Sequence, residues 1–122
     1  MSTINNREFF RLRFPDAMRP TAVIDDGEFG VAEISEGGMR IVCDRRCCHQ
    51  IDDDIEAFIA FEEGEPTHVS GRIFRKDGDE CIIKLTKRIT LNRMIREQAR
   101  VIRELKEIAS SLDSARSIAG RR

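Results

Sequence analysis

The sequence predicts a mainly β domain, six antiparallel strands forming a barrel or sandwich, followed by one long helix. Three observations carry this. Between Thr21 and Leu85 apolar residues recur at every second position, with short Asp- and Gly-containing turns between the runs. Beyond Ile89 the apolar period lengthens to about 3.5. The chain has 122 residues, 40% of them apolar, which suits one compact unit with a modest core.

The strands follow in order. Val23-Ile24 runs into Asp25-Asp26-Gly27, an Asp-Gly turn flanked by apolar residues. Phe29, Val31 and Ile34 lead to the Gly37-Gly38 turn, where glycine makes positive φ available, and Met39, Ile41 and Cys43 alternate on the way out. After a charged stretch from Arg45 to Asp54, the apolar residues Ile55, Ala57, Ile59 and Phe61 fall at alternate positions. By the same rule their partners are Val69, Gly71 and Ile73, then Cys81, Ile83 and Leu85, joined through Asp77-Gly78-Asp79 as a hairpin turn. With no Trp or Tyr, the core rests on seven Phe and the branched aliphatics.

From Leu91 a strict a/d heptad follows: Leu91, Met94, Gln98, Val101, Leu105, Ile108, Leu112 and Ala115, with Ile95, Ile102 and Ala109 at e. An apolar set at a, d and e is wide enough for a helix to meet its own barrel on one side and neighbouring helices on the other. Thr90 is placed to cap the start and Gly120 to mark the end. A helix of about 28 residues extends about 42 Å. That outruns a small barrel with a radius of gyration of about 13 Å. Leu105, Ile108 and Leu112 are then left in water unless copies associate, and burying each is worth roughly 1.5–3 kcal/mol. A homo-oligomer through residues 90–118 is therefore expected, with Gln98 at an a position fixing register. The alternative is an amphipathic helix folded back on its barrel.

Net charge is −1, but it is unevenly distributed. Residues 1–20 carry four basic and two acidic groups, residues 21–87 eight and sixteen, and residues 88–122 nine and four. Arg93, Arg96, Arg100 and Arg103 lie at outer c and f positions of the helix. The pairs Arg93–Glu97, Arg100–Glu104 and Arg103–Glu107 stand at i,i+4 and answer much of this charge locally. Without an aromatic residue among them to stack on bases, they read as a solvated face rather than a DNA-binding one.

Catalysis is not expected. His49 and His68 have no partner spacing for a nucleophile and base, and neither a P-loop nor a His-Glu-x-x-His pattern is present. Cys43-Asp44-Arg45-Arg46-Cys47-Cys48-His49 raises the question of zinc, but the second ligand pair is missing, so no metal is expected. No apolar run reaches the roughly 18 residues of a membrane span, and Ser2 to Arg13 contains no signal-peptide core. A cytoplasmic protein with reduced thiols is the expectation.

Two motifs carry chemistry. Arg7-Glu8-Phe9-Phe10-Arg11 sets two arginines four apart, each a planar fork of donors suited to phosphate or to the O6/N7 edge of guanine. Glu33-Ile34-Ser35-Glu36-Gly37-Gly38 offers acceptors at residues 33 and 35, which share one face of a strand and suit the N1 and N2 hydrogens of guanine. In this order and spacing the motifs resemble the PilZ domain family, whose signature is Arg-x-x-x-Arg followed by Asp or Asn-x-Ser-x-x-Gly. The resemblance runs from about Arg7 to about Leu85.

The resemblance implies a split barrel over residues 1–89, with an N-terminal ligand-binding arm, while the heptad sets residues 90–118 apart as a helical element. It also implies a receptor for cyclic di-GMP in bacterial second-messenger signalling. Arg7 and Arg11 would grip guanine edges and phosphates, Glu33 and Ser35 would hold a guanine, and Gly38 would close the turn. The arm around Arg7 would close over the ligand and present a changed surface to a partner protein. Glu33 departs from the family's Asp or Asn by one methylene, and Asn6 stands where many relatives have a further basic residue. One misplaced contact costs on the order of 1–3 kcal/mol, an affinity about ten- to a hundredfold weaker. The other function class is a PilZ-like adaptor that assembles through its helix and binds no cyclic di-GMP.

Overall fold

A computed structural model of the chain describes residues 10–43 and 49–119. Seven strands and one long helix are found among them: β1 (Arg11–Arg13), β2 (Thr21–Ile24), β3 (Gly27–Ser35), β4 (Gly38–Val42), β5 (Asp54–Ala60), β6 (Thr67–Asp77), β7 (Glu80–Lys87) and α1 (Leu91–Ala119). A single 3-10 turn, Asp16–Met18, separates β1 from β2.

All the strand pairings are antiparallel. Neighbours run β3-β2-β5-β6-β7-β4, and a further β3–β4 pairing closes six strands into a barrel, as the alternating pattern predicts. The short β1 lies outside that ring. Along one edge, β3 pairs with β2 through Gly27–Gly30 and with β1 through Glu33–Ser35, while β4 takes the other edge. Between the two, Phe14 N donates to Ala32 O at 2.9 Å and Val31 N donates to Pro20 O at 2.8 Å, so few backbone groups of β3 go unanswered.

Period-two alternation sorts the side chains. On β5, Ile55, Ala57 and Ile59 point inward between exposed neighbours, and on β7 Cys81, Ile83 and Leu85 alternate inward between half-buried and exposed ones. They meet Phe14, Ile24, Val31, Ile34, Ile41, Val69 and Ile73 in one core. Each fully buried aliphatic contributes roughly 1.5–3 kcal/mol.

The turns use their residues in ways the sequence only partly discloses. The β2–β3 hairpin turns at Asp25-Asp26, with Asp25 at φ 53°, and Gly27 is already paired with Ile24. Gly78 takes φ 63° in the expected β6–β7 hairpin. Gly38, by contrast, is not among the positive-φ residues. It is needed for space, because a Cβ there would stand 2.6 Å from Ile83 O on β7.

In α1, Thr90 Oγ1 accepts from Arg93 N at 3.2 Å, the cap anticipated from sequence, while Gly120 lies outside the described residues. The helix meets the barrel through Met94, Glu97, Arg100 and Val101, all buried. Arg100 is therefore not on a solvated face. It is 3% exposed and donates to Glu97 Oε1 at 3.0 Å, Glu104 Oε2 at 2.8 Å and Met18 O at 3.3 Å. Burial draws the Arg100 pKa down, but the hydrogen bonds to Glu104 and Glu97 outweigh it and raise the value.

Arg93 and Arg103 also turn to the barrel rather than to their i,i+4 glutamates. Arg93 lies 5.3 Å from the Phe61 ring centroid and donates to the carbonyls of Glu63 and Glu65, and Arg103 pairs with Glu63 at 3.3 Å. The d residues Met94 and Val101 thus face inward. Leu91, Ile95, Ile102, Leu105, Ile108 and Leu112 are left 45–53% exposed along the helix.

Candidate functional site

Strand pairing assembles the sequence motifs at the β1 end of the barrel. Register sets Arg11 opposite Ser35 and Arg13 opposite Glu33. β4 then brings Gly38 and Arg40 alongside, with Glu33 opposite Arg40. Arg11, Glu33, Ser35 and Gly38 line one cavity of about 230 Å³. Arg7, the remaining predicted site residue, lies outside the described residues, as does Asn6.

Within the cavity, Glu33 folds back toward its own strands. Its carboxylate stands 3.7 Å from Arg11, 4.0 Å from Arg13 and 3.9 Å from Arg40, at ion-pair distance from all three. Arg13 and Arg40 are also answered by other carboxylates, whereas the Arg11 side chain, 72% exposed, has only this loose contact among the described residues and stands open to an incoming anion. Ser35 Oγ donates to Gly38 O at 3.2 Å, which braces the β3–β4 turn and keeps the oxygen's lone pairs for an incoming donor. Glu36, an unspecified position of the motif, accepts from Phe10 N at 2.7 Å, and Glu36 N donates to Phe10 O at 3.3 Å. Phe10 is thereby pinned to the turn.

A second set of charges supports the first. Arg13 donates through both terminal nitrogens to Glu80 on β7, and Arg40 pairs with Glu80 at 3.4 Å and Asp77 at 3.2 Å. Glu80 carries a lowered pKa, chiefly from the Arg13 hydrogen bond, against an opposing effect of burial and with help from Arg40. The same bond raises Arg13. Such bidentate pairs fix guanidinium orientation as well as charge.

Sequence reasoning missed Arg40, Phe74 and Arg75, which line this cavity together with Met39 and Ile82. Arg40 was detectable as the outward neighbour of Met39 and Ile41. Phe74 and Arg75 were not, because a shift in the β6–β7 register places them there.

Among the described residues, no group of three His, Cys, Asp or Glu side chains is placed to hold a metal ion. His49 Nε2 lies 3.3 Å from Asp25 and its ring meets Phe29 edge-on at 6.1 Å. Cys43 is disulfide-bonded, which corrects the expectation of reduced thiols. Cys81 is buried in the barrel, which pushes its thiol pKa up. Among the described residues no helix is long and apolar enough to cross a membrane.

The family model for the PilZ domain matches residues 5–106. The chain belongs to the PilZ domain family. The match takes in both motifs, the barrel and the first half of α1. PilZ domains in general are cyclic di-GMP-binding domains of signalling proteins. Among solved structures, an uncharacterized protein of Legionella is similar at 14% identity, over 85% of this chain and 98% of the other, with a TM-score of 0.47. No curated protein matches.

Proposed function

We propose that this PilZ domain is a receptor for cyclic di-GMP that acts by changing its contacts with other proteins, and that it catalyses no reaction. The observation that carries this reading is the convergence of Arg11, Glu33, Ser35 and Gly38 on one cavity, from motifs some twenty residues apart in the chain. Arg11 grips a guanine edge or a phosphate, Ser35 and Glu33 accept from a guanine, and Gly38 keeps the wall thin. Arg7, the other arginine of the motif, grips a further guanine edge or phosphate of the bound ligand. The protein works in the cytoplasm, without a cofactor or metal, and engages neither DNA nor the membrane interior.

Self-association through residues 90–118 is part of the same proposal. Six large apolar side chains exposed on one helix make a surface that copies of the chain can share, as a bundle of heptad helices does. One observation favours the second reading, an assembling adaptor without ligand. Glu33 already stands among the three arginines that a phosphate would seek.

Isothermal titration with cyclic di-GMP on wild type and on Arg11→Ala separates the two. Binding by wild type and its loss in the variant supports the receptor. No heat from either protein establishes the adaptor.

A further inference from the structure

On an antiparallel strand with one face in the core, outward positions are ordinarily polar. Phe74 breaks that rule. It is 45% exposed on β6, beside the buried Ile73. The only other strand phenylalanine comparably exposed among the described residues is Phe58, which packs on the His68 ring of the adjacent strand at 4.8 Å between centroids. Among the described residues no ring stacks on Phe74. Its neighbours are two cations, the Lys84 ammonium 3.9 Å from the ring centroid and the Arg75 guanidinium 5.9 Å away.

The backbone accounts for its position. Ile73 pairs with Ile83 and Arg75 with Ile82, so Phe74 is the unmatched residue of a bulge in β6. A second bulge lies in β3: Val31 pairs with Ile41 and Glu33 with Arg40, leaving Ala32 unmatched. Bulges re-aim side chains and gather beside functional sites. One of these two lies beside Glu33, among the arginines of the cavity, and the other brings Phe74 and Arg75 to the same cavity from β6.

We propose that Phe74 is a base-stacking residue, taking the face of a purine of the bound cyclic dinucleotide in the cavity it lines with Arg11, Glu33 and Ser35, with Arg75 beside it for a phosphate. The proposal rests on the receptor reading above and adds a contact that neither sequence motif contains. Every purine presents a π-face, and an exposed phenyl ring flanked by cations offers stacking next to charge that answers the ligand's phosphates. Lys84 stands over the ring on a flexible four-carbon stem, so it can yield that place to a flat base and turn to a phosphate oxygen.

The absence of Trp and Tyr from the chain makes the test direct. Phe74→Trp installs the sole tryptophan, and its emission is followed while cyclic di-GMP is added. Phe74→Leu keeps the bulk and removes the ring, and its affinity is measured by calorimetry beside wild type. The proposal expects Trp emission to change with a midpoint matching the calorimetric Kd, and Phe74→Leu to bind about ten- to a hundredfold more weakly with unaltered thermal unfolding. If wild type binds and Phe74→Leu binds equally well, the stacking role is overturned and the receptor stands. Stacking is equally overturned if Phe74→Leu changes only the sedimentation of the protein, which would make Phe74 a protein contact. Wild type that takes up no cyclic di-GMP overturns both ideas together.

Discussion

Arg100 and Glu97, one helical turn apart on α1, form a 3.0 Å ion pair closed off from water, with side chains 3% and 2% exposed. The barrel supplies the lid, and Met18 O takes a further hydrogen of the guanidinium. A buried pair is a weak source of net stability, yet removing one partner strands the other. Glu97→Ala should therefore lower unfolding free energy in urea by on the order of 3 kcal/mol, and Glu97→Leu with Arg100→Met should recover most of it. Equal loss in the single and double variants would discard this account.

Glu33 offers the second test. Its long side chain reaches toward Arg11, Arg13 and Arg40 together, and an aspartate at that position falls short of them. Under the receptor reading, Glu33→Asp restores the family's residue, releases the arginines and tightens cyclic di-GMP binding by about tenfold, since one recovered contact is worth about 1.4 kcal/mol. Calorimetry reads this directly, and an unchanged Kd would remove Glu33 as the weak point.

The Arg13–Glu80 pair makes a pH prediction. Glu80 has a folded-state pKa below its ordinary value of 4.5, so the folded state binds its proton less readily than the unfolded chain. Its contribution is fully present above about pH 4.5 and is lost as pH falls through the lower, folded value. Glu80→Gln should thus be less stable than wild type at pH 7, and the gap should narrow steadily in denaturation series below pH 4.5. A gap independent of pH would mean that packing, not charge, is what Glu80 provides.

Leu105 sits mid-way along the exposed apolar stripe of α1 and is 45% exposed. Leu105→Glu should leave barrel stability within about 0.5 kcal/mol, as for other surface changes, because the residue is not part of the buried core. If copies join through this stripe, sedimentation velocity shows wild type as an oligomer and the variant as a monomer. An assembly that survives the substitution would place the contact elsewhere.

Much of the barrel was legible because its code is local. Ile55-Ala57-Ile59 and Cys81-Ile83-Leu85 alternate in sequence as they do in burial, and Thr90 announces its cap three residues ahead of Arg93. What escaped depends on partners far along the chain. Arg100 with Glu104 reads as a solvated i,i+4 pair, since nothing in the spacing says that a barrel covers it. Gly38 reads as a turn glycine, whereas the constraint comes from the Ile83 carbonyl on a strand more than forty residues later. The bulges at Ala32 and Phe74 leave no mark in the apolar pattern, yet they help to shape the cavity. Arg11, Glu33, Ser35 and Gly38 were found through their motif, and the register that unites them belongs to β1, three residues too short to predict.

The β3–β4 pairing has a consequence for how the molecule can meet others. An open sheet ends in a row of unpaired amides and carbonyls, a template onto which any extended segment can add. In this barrel that row is consumed where β3 pairs with β4, and among the described residues the brief outer margin of β1 is what is left over. Edge-to-edge stacking onto the barrel is thereby restricted to that margin. Recognition by this protein must be written in side chains, on the walls of its cup or along the flank of its helix.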